Sequence, residues 1–175
     1  MLKIRSLAAV LLLTLGCSRQ PDQPKIIVDS LVDDRLVNVP APPMNTGVKY
    51  IQTFVAPHDN LFKVEVYAAT FKKQIPSGNL RFHLRDSLAA TKDLASGVVP
   101  LSQIGDNTHV PFEFTPIAAS AGKPYALVLD VENMPPGFLI TLWLTPQDTY
   151  FQGSFYMNGQ LQPGDTALRV YSIVR

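Results

Sequence analysis

The chain has one cysteine and one tryptophan in 175 residues, and charged residues make up only 17% of it. A single cysteine excludes an internal disulfide framework. The charge is sparse and balanced, 15 basic against 14 acidic residues for a formal net of +1, which excludes broad electrostatic capture of nucleic acid. No apolar run is long enough to cross a ~30 Å hydrocarbon core as a stable helix, and no long run follows the helical period. Enzyme signatures are also missing: there is no Gly-x-Ser-x-Gly, no phosphate-cradling glycine loop and no His-Glu-x-x-His. His58, His83 and His109 stand far apart, with no partner at metal-ligand spacing. Paired carboxylates for glycoside hydrolysis assemble only in three dimensions, and most acids here fall in apparent turns. The chain therefore reads as non-catalytic, with no cofactor expected.

The first residues stand apart from the rest. Lys3 and Arg5 form a short basic region, Leu7 to Leu15 is almost wholly apolar, and Gly16-Cys17 follows, which is the three-part layout of an export signal. Leu13-Thr14-Leu15-Gly16-Cys17 resembles the bacterial lipobox, with Thr14 where an aliphatic residue is usual. That resemblance implies that residues 1–16 are a signal peptide and that Cys17 becomes lipidated. The chain would then be anchored in a membrane of the cell envelope, each buried acyl CH₂ contributing about 0.8 kcal/mol. Ser18 after the cysteine, by the same resemblance, favours the outer membrane of a two-membrane bacterium. Residues 17–24 read as the lipidated cysteine and a short proline-spaced tether, and 25–175 as one β-sandwich domain whose first strand boundary is open.

Apolar residues at 46% support a real core, and 15 prolines with 10 glycines suit short strands and turns. Phe62–Tyr67, Leu80–Arg85 and Val110–Phe114 alternate apolar and polar, as half-buried antiparallel strands do. Tyr125–Val131 and Leu139–Leu144 are more continuously apolar and read as central strands covered on both faces. Ile26–Val39 could hold one or two edge strands, ended by Pro40-Ala41-Pro42-Pro43. Asn158-Gly159 is the preferred pair for a tight hairpin, because both positions need positive φ. Pro57–Asn60, Pro76–Asn79, Gly105–Asn107, Pro135–Gly137 and Pro163–Asp165 read as further turns. The fold class expected is all-β, an antiparallel sandwich of about eight strands in jelly-roll form.

The order of Gln52-Thr53-Phe54, Val64–Ala69, Leu80–Asp86, Asp93–Ser96, Asn158-Gly159 and Gly164–Tyr171 resembles jelly-roll, carbohydrate-binding-module-like domains of bacterial envelope proteins. The resemblance implies a domain that binds a glycan without catalysis. A structural or assembly lipoprotein docking another envelope protein is the competing expectation, since one sandwich hosts many functions. Three groups of residues are candidates. Arg81, His83 and Arg85 share one strand face and would suit an anionic glycan or a lipid headgroup, or form an ordinary solvated face. Trp143, Tyr150, Phe151, Phe155 and Tyr156 could offer rings to the C–H faces of a sugar, with Trp143, Tyr150 and Tyr156 foremost, or could fill the core and its rim. Alternation places Trp143 on the face opposite Ile140, Leu142 and Leu144. Asp59-Asn60 and Asp106-Asn107 carry loop oxygens of the kind that hold structural calcium, but no calcium-loop spacing accompanies them, and turn chemistry explains them equally.

Overall fold

The computed structural model describes residues 23–174, in which the alternating stretches become strands. In chain order these are β1 (Lys25–Ser30), β2 (Val39–Pro40), β3 (Lys49–Val55), β4 (Leu61–Ala69), β5 (Asn79–Arg85), β6 (Ala95–Pro100), β7 (Thr108–Ile117), β8 (Pro124–Glu132), β9 (Thr141–Leu144), β10 (Phe155–Met157), β11 (Gln160–Gln162) and β12 (Leu168–Val174). Two single turns of 3-10 helix, Asp34–Leu36 and Leu101–Gln103, interrupt them. Among the described residues no helix is long and apolar enough to cross a membrane. The export signal, Cys17 and the tether up to residue 22 lie outside the described residues.

The strands form two antiparallel sheets of six. Eight of them make the framework. β1, β12, β4 and β7 lie side by side in the first sheet, and β3, β8, β5 and β6 in the second. The first framework strand pairs with the last, and the pairing then works inward: β1 with β12, β3 with β8, β4 with β7, β5 with β6. A long antiparallel ribbon is thus wound across two sheets, which is the jelly roll. The other four strands are short additions. β2 and β9 extend the first sheet beyond the far end of β4, and the β10–β11 hairpin extends the second beyond β3.

Alternation fixes which side chains meet between the sheets. β5 buries Leu80, Phe82 and Leu84 and turns Arg81, His83 and Arg85 outward. Phe82 meets Phe112 of β7 across the interior with ring centroids 4.9 Å apart. A Cβ at Gly97 would come within 2.6 Å of the Phe82 ring, so the glycine on β6 makes room for that aromatic pair. β8 is buried at seven consecutive positions, Tyr125–Val131, because the sheet's neighbours cover its outer face as well. The Asn158-Gly159 hairpin forms as read, with φ of 51° and 79° and Met157 opposite Gln160.

One buried carboxylate holds the long β9–β12 excursion to the frame. Asp165 is fully buried and accepts from the amides of Thr149 and Tyr150, both at 2.9 Å, and from Gln52 Nε2 at 3.3 Å.

β4 also sets the polarity of the molecule. At its Leu61 end lie the first residue of β1, Lys25, paired with Val174, and the 57–60 turn. At its Ala69 end lie β9 and the turn that follows Thr70. The chain therefore enters the sandwich at one pole, and Trp143 sits toward the other.

Candidate functional site

Beyond Ala69 the chain reverses in a turn closed by Lys73 N–H donating to the Thr70 carbonyl at 3.1 Å. Its two central residues, Phe71 and Lys72, have φ of 55° and 59°. Positive φ at both central positions is the mark of a type I′ turn, which normally takes Asn-Gly, as this chain does at 158–159. A bulky side chain held in left-handed backbone costs on the order of 1 kcal/mol or more per residue. The strain is held in place by an ordered set of hydrogen bonds. The Thr70 amide donates to Asp106 Oδ1 at 2.8 Å, Asn107 Nδ2 donates to Asp106 Oδ2 at 3.3 Å, and Trp143 Nε1 donates to Asn107 Oδ1 at 2.8 Å.

These contacts join three separate pieces of chain into one shallow depression of about 340 Å³, lined by Pro40, Ala69, Phe71, Lys72, Asp106, Asn107 and Trp143. Its size is at the small end of ligand sites, which run from about 300 to 1,000 Å³. Phe71 is 46% exposed, and the Trp143 ring is half-buried with its only polar atom already bonded. What remains open at the site is aromatic surface, a lysine and the rims of two polar turns. Trp143 points away from Ile140, Leu142 and Leu144, as alternation requires, but Thr141 and Thr145 on its own side are buried. Phe71 was invisible as a site residue, because nothing in Thr70-Phe71-Lys72-Lys73 carries turn chemistry. No protein-family model matches the chain, and the search of curated proteins finds no match.

The other aromatic candidates disperse. Phe155 is in the core, edge-on to Tyr50 at 5.3 Å. The Tyr150 hydroxyl accepts from the Val55 amide at 3.0 Å and so closes the end of β3. Tyr156 lies on the outer face of the second sheet, opposite Ile51 and Leu161, and Phe151 is 94% exposed. None of these lines the Trp143 depression.

Arg81, His83 and Arg85 do share a face, but each already has a carboxylate. Arg81 donates to Asp130 at 2.6 Å and to Glu132 at 3.3 Å, which raises its pKa. His83 Nδ1 and Arg85 Nε meet the two oxygens of Asp93 at 2.7 and 2.8 Å. The Arg85 guanidinium holds the Asp93 carboxyl below the usual carboxylate range, against the opposing effect of burial and with help from His83. An anionic ligand at this face would have to displace carboxylates that are in place.

The outer face of the first sheet carries a second polar network. Glu65 accepts from the Tyr171 hydroxyl at 2.6 Å and from Lys63 Nζ at 3.0 Å. Burial pushes the Glu65 carboxyl up, but those two donors outweigh it and leave the pKa lowered, while burial and Glu65 together push Tyr171 to about 12. Asp34, on the first 3-10 turn, meets Arg169 and, at 3.3 Å, His109 Nε2, so the turn is pinned over the sheet.

A larger cleft of about 680 Å³ opens at the pole where the chain enters, between Pro57–Asn60 and Ile173–Val174. Size alone does not make it the better site, because two of its polar side chains serve the backbone and the third faces an acid: Asp59 accepts from the Ala121 amide, Asn60 Nδ2 donates to the Ile173 carbonyl, and His58 Nε2 lies 3.6 Å from Asp29. Both acidic-amide turns thus bond to backbone, and among the described residues no group of three or more acids, histidines or cysteines forms a metal cluster.

Proposed function

We propose that this protein is a non-catalytic lipoprotein of the bacterial cell envelope, anchored through Cys17, whose sandwich binds a glycan in the Trp143–Phe71 depression. The observation that carries the reading is the strained Phe71-Lys72 turn, locked by hydrogen bonds beside the Trp143 ring. A rigid aromatic surface costs little further ordering when a ligand binds, so more of the contact energy appears as affinity. Sugar rings offer C–H faces to such surfaces, and the neighbouring turns offer hydrogen-bonding atoms for hydroxyls. The lipobox-like Leu13–Cys17 supports the anchor. Entry of the chain at the opposite pole supports a site held away from the membrane. The test is retention of residues 25–175 on a panel of immobilised polysaccharides, with Trp143→Ala as the control. Binding by the wild type that the variant loses upholds the reading, and a folded wild type that retains nothing sinks it.

A second reading, docking to another envelope protein, is favoured by one observation. Leu161, 64% exposed, Tyr156 and Ile51 form a row across the outer face of the second sheet, and Phe151 is 94% exposed. A stoichiometric partner captured from native membranes and lost on Leu161→Asp would favour this reading over the first.

A further inference from the structure

We infer that the Trp143–Phe71 depression selects a saccharide that carries an anionic substituent, with the Lys72 ammonium as the group that recognises the charge. This rests on the glycan reading above and goes beyond it to the class of sugar.

Most polar groups at the site are already committed. Asp106 uses one oxygen on the Thr70 amide and the other on Asn107, and Asn107 Oδ1 is taken by the indole N–H. Lys73, the next residue, donates to the Gly137 carbonyl at 3.2 Å. Lys72 is exposed, and among the described residues it has neither a carboxylate within ion-pair distance nor a hydrogen-bond acceptor. An uncommitted cation thus stands beside two aromatic side chains. The β5 face presents the contrast, since Arg81, His83 and Arg85 are each matched to an acid there.

The backbone adds an independent reason. At 158–159 the chain meets the demand for two positive-φ residues with Asn-Gly, but at 71–72 it meets the same demand with Phe-Lys. Folding alone is better served by Asn-Gly at both places. A turn that keeps strain in order to display one aromatic ring and one ammonium is accounted for if both are used. An ammonium is a compact point charge that does not demand the planar geometry of a guanidinium fork, so it accepts a sugar carboxylate or a sugar sulfate. The chain is close to neutral overall, so any preference for acidic sugars must arise locally rather than from its general field.

The experiment measures binding of residues 25–175 to three soluble polymers at low and moderate salt: polygalacturonate, dextran sulfate and neutral dextran. Three proteins are compared: wild type, Lys72→Gln, and the double variant Phe71→Asn with Lys72→Gly. The inference expects one of the two acidic polymers to bind and dextran to bind far less, the responding polymer distinguishing a carboxylate from a sulfate. Lys72→Gln should weaken that binding about tenfold, the worth of roughly one charge-assisted contact, and flatten its salt dependence. The double variant should melt at a higher temperature than the wild type yet lose binding, an opposition of sign that a purely structural turn would not produce. Equal binding to dextran, or acidic binding unchanged in Lys72→Gln, overturns the inference and leaves the glycan reading standing. No binding to any polysaccharide, including the wider panel, overturns both.

Discussion

Trp143 is half-buried and its indole N–H already has a partner, so its removal should register in two measurements at once. Trp143→Ala should lose about 1–3 kcal/mol in chemical denaturation, less than the ~3–5 kcal/mol of a fully buried ring, and should also abolish retention on the glycan matrix. Loss of stability with binding intact would reduce Trp143 to packing. Asp165 is the opposite kind of residue, with no exposed surface and two backbone amides depending on it. Asp165→Ala should cost about 1.5–3 kcal/mol, because those partly buried amides and the buried Gln52 side chain would lose their acceptor. A melting temperature equal to that of the wild type would disprove the clamp. Asp93 tests the surface pairs. Its folded pKa is lowered, so its contribution is present above the unfolded carboxylate value and is lost as pH falls through the folded one. Asp93→Asn should therefore cost no more than about 1 kcal/mol at neutral pH, as a partly exposed pair does, and the gap to the wild type should close in acid. A gap that widens on acidification would contradict the pairing with Arg85 and His83.

At the scale of elements, the turns separate what sequence can disclose from what it cannot. The 57–60, 76–79, 105–107, 135–137 and 163–165 segments announce themselves through proline, glycine and asparagine, and each includes a residue at positive φ or a tight approach. Gly164 is the extreme case, since a Cβ there would lie 2.1 Å from the Thr145 carbonyl oxygen. The Asn158-Gly159 hairpin belongs with them. Gly159→Val should cost about 1–3 kcal/mol through the backbone alone, because open space surrounds the position, and calorimetry should show it as a lowered melting temperature. The 70–73 turn gave no such signal, because its residues oppose their own backbone, and with it the Phe71 half of the candidate site was hidden. β6 was hidden for another reason: its Ser-Gly centre lacks the alternation that marked β4 and β5. The face of Arg81, His83 and Arg85 followed from period-two spacing, but two of its partners did not. Asp130 and Glu132 come from β8, 49 and 51 residues away, and meet Arg81 only through register. The eight or so strands expected are the jelly-roll framework, and four short strands of two to four residues add to it: β9 falls within the Leu139–Leu144 stretch, β10 and β11 flank the Asn158-Gly159 turn, and β2, at Val39–Pro40, is an edge pair.

For the whole molecule, the decisive relation is between where the chain enters and where Trp143 lies. β4 has nine residues, and at ~3.3 Å per residue its two ends are separated by roughly 25 Å. Lys25 is at one end, and Trp143 is near the other, next to Leu142, which pairs with Ala68. A lipid on Cys17 would therefore hold the sandwich by the pole farther from the depression, and a tether of about seven residues can add up to ~20 Å more. The anchor itself is tested by Cys17→Ser. Metabolic labelling with a fatty-acid analogue should mark the wild type and not the variant, and a wild type that is never marked removes the anchor. The orientation is tested by light, because Trp143 is the chain's only tryptophan. With the lipidated protein reconstituted into vesicles, its emission should be the same in brominated and ordinary lipids, since bromine quenches only at close range and the indole is held at the distal pole. Adding an acidic polysaccharide to the same vesicles should change the emission from outside, because the ligand would lie on the ring itself. Strong quenching by the brominated lipid would place Trp143 at the bilayer. The depression would then have to be read as a membrane contact rather than a sugar site.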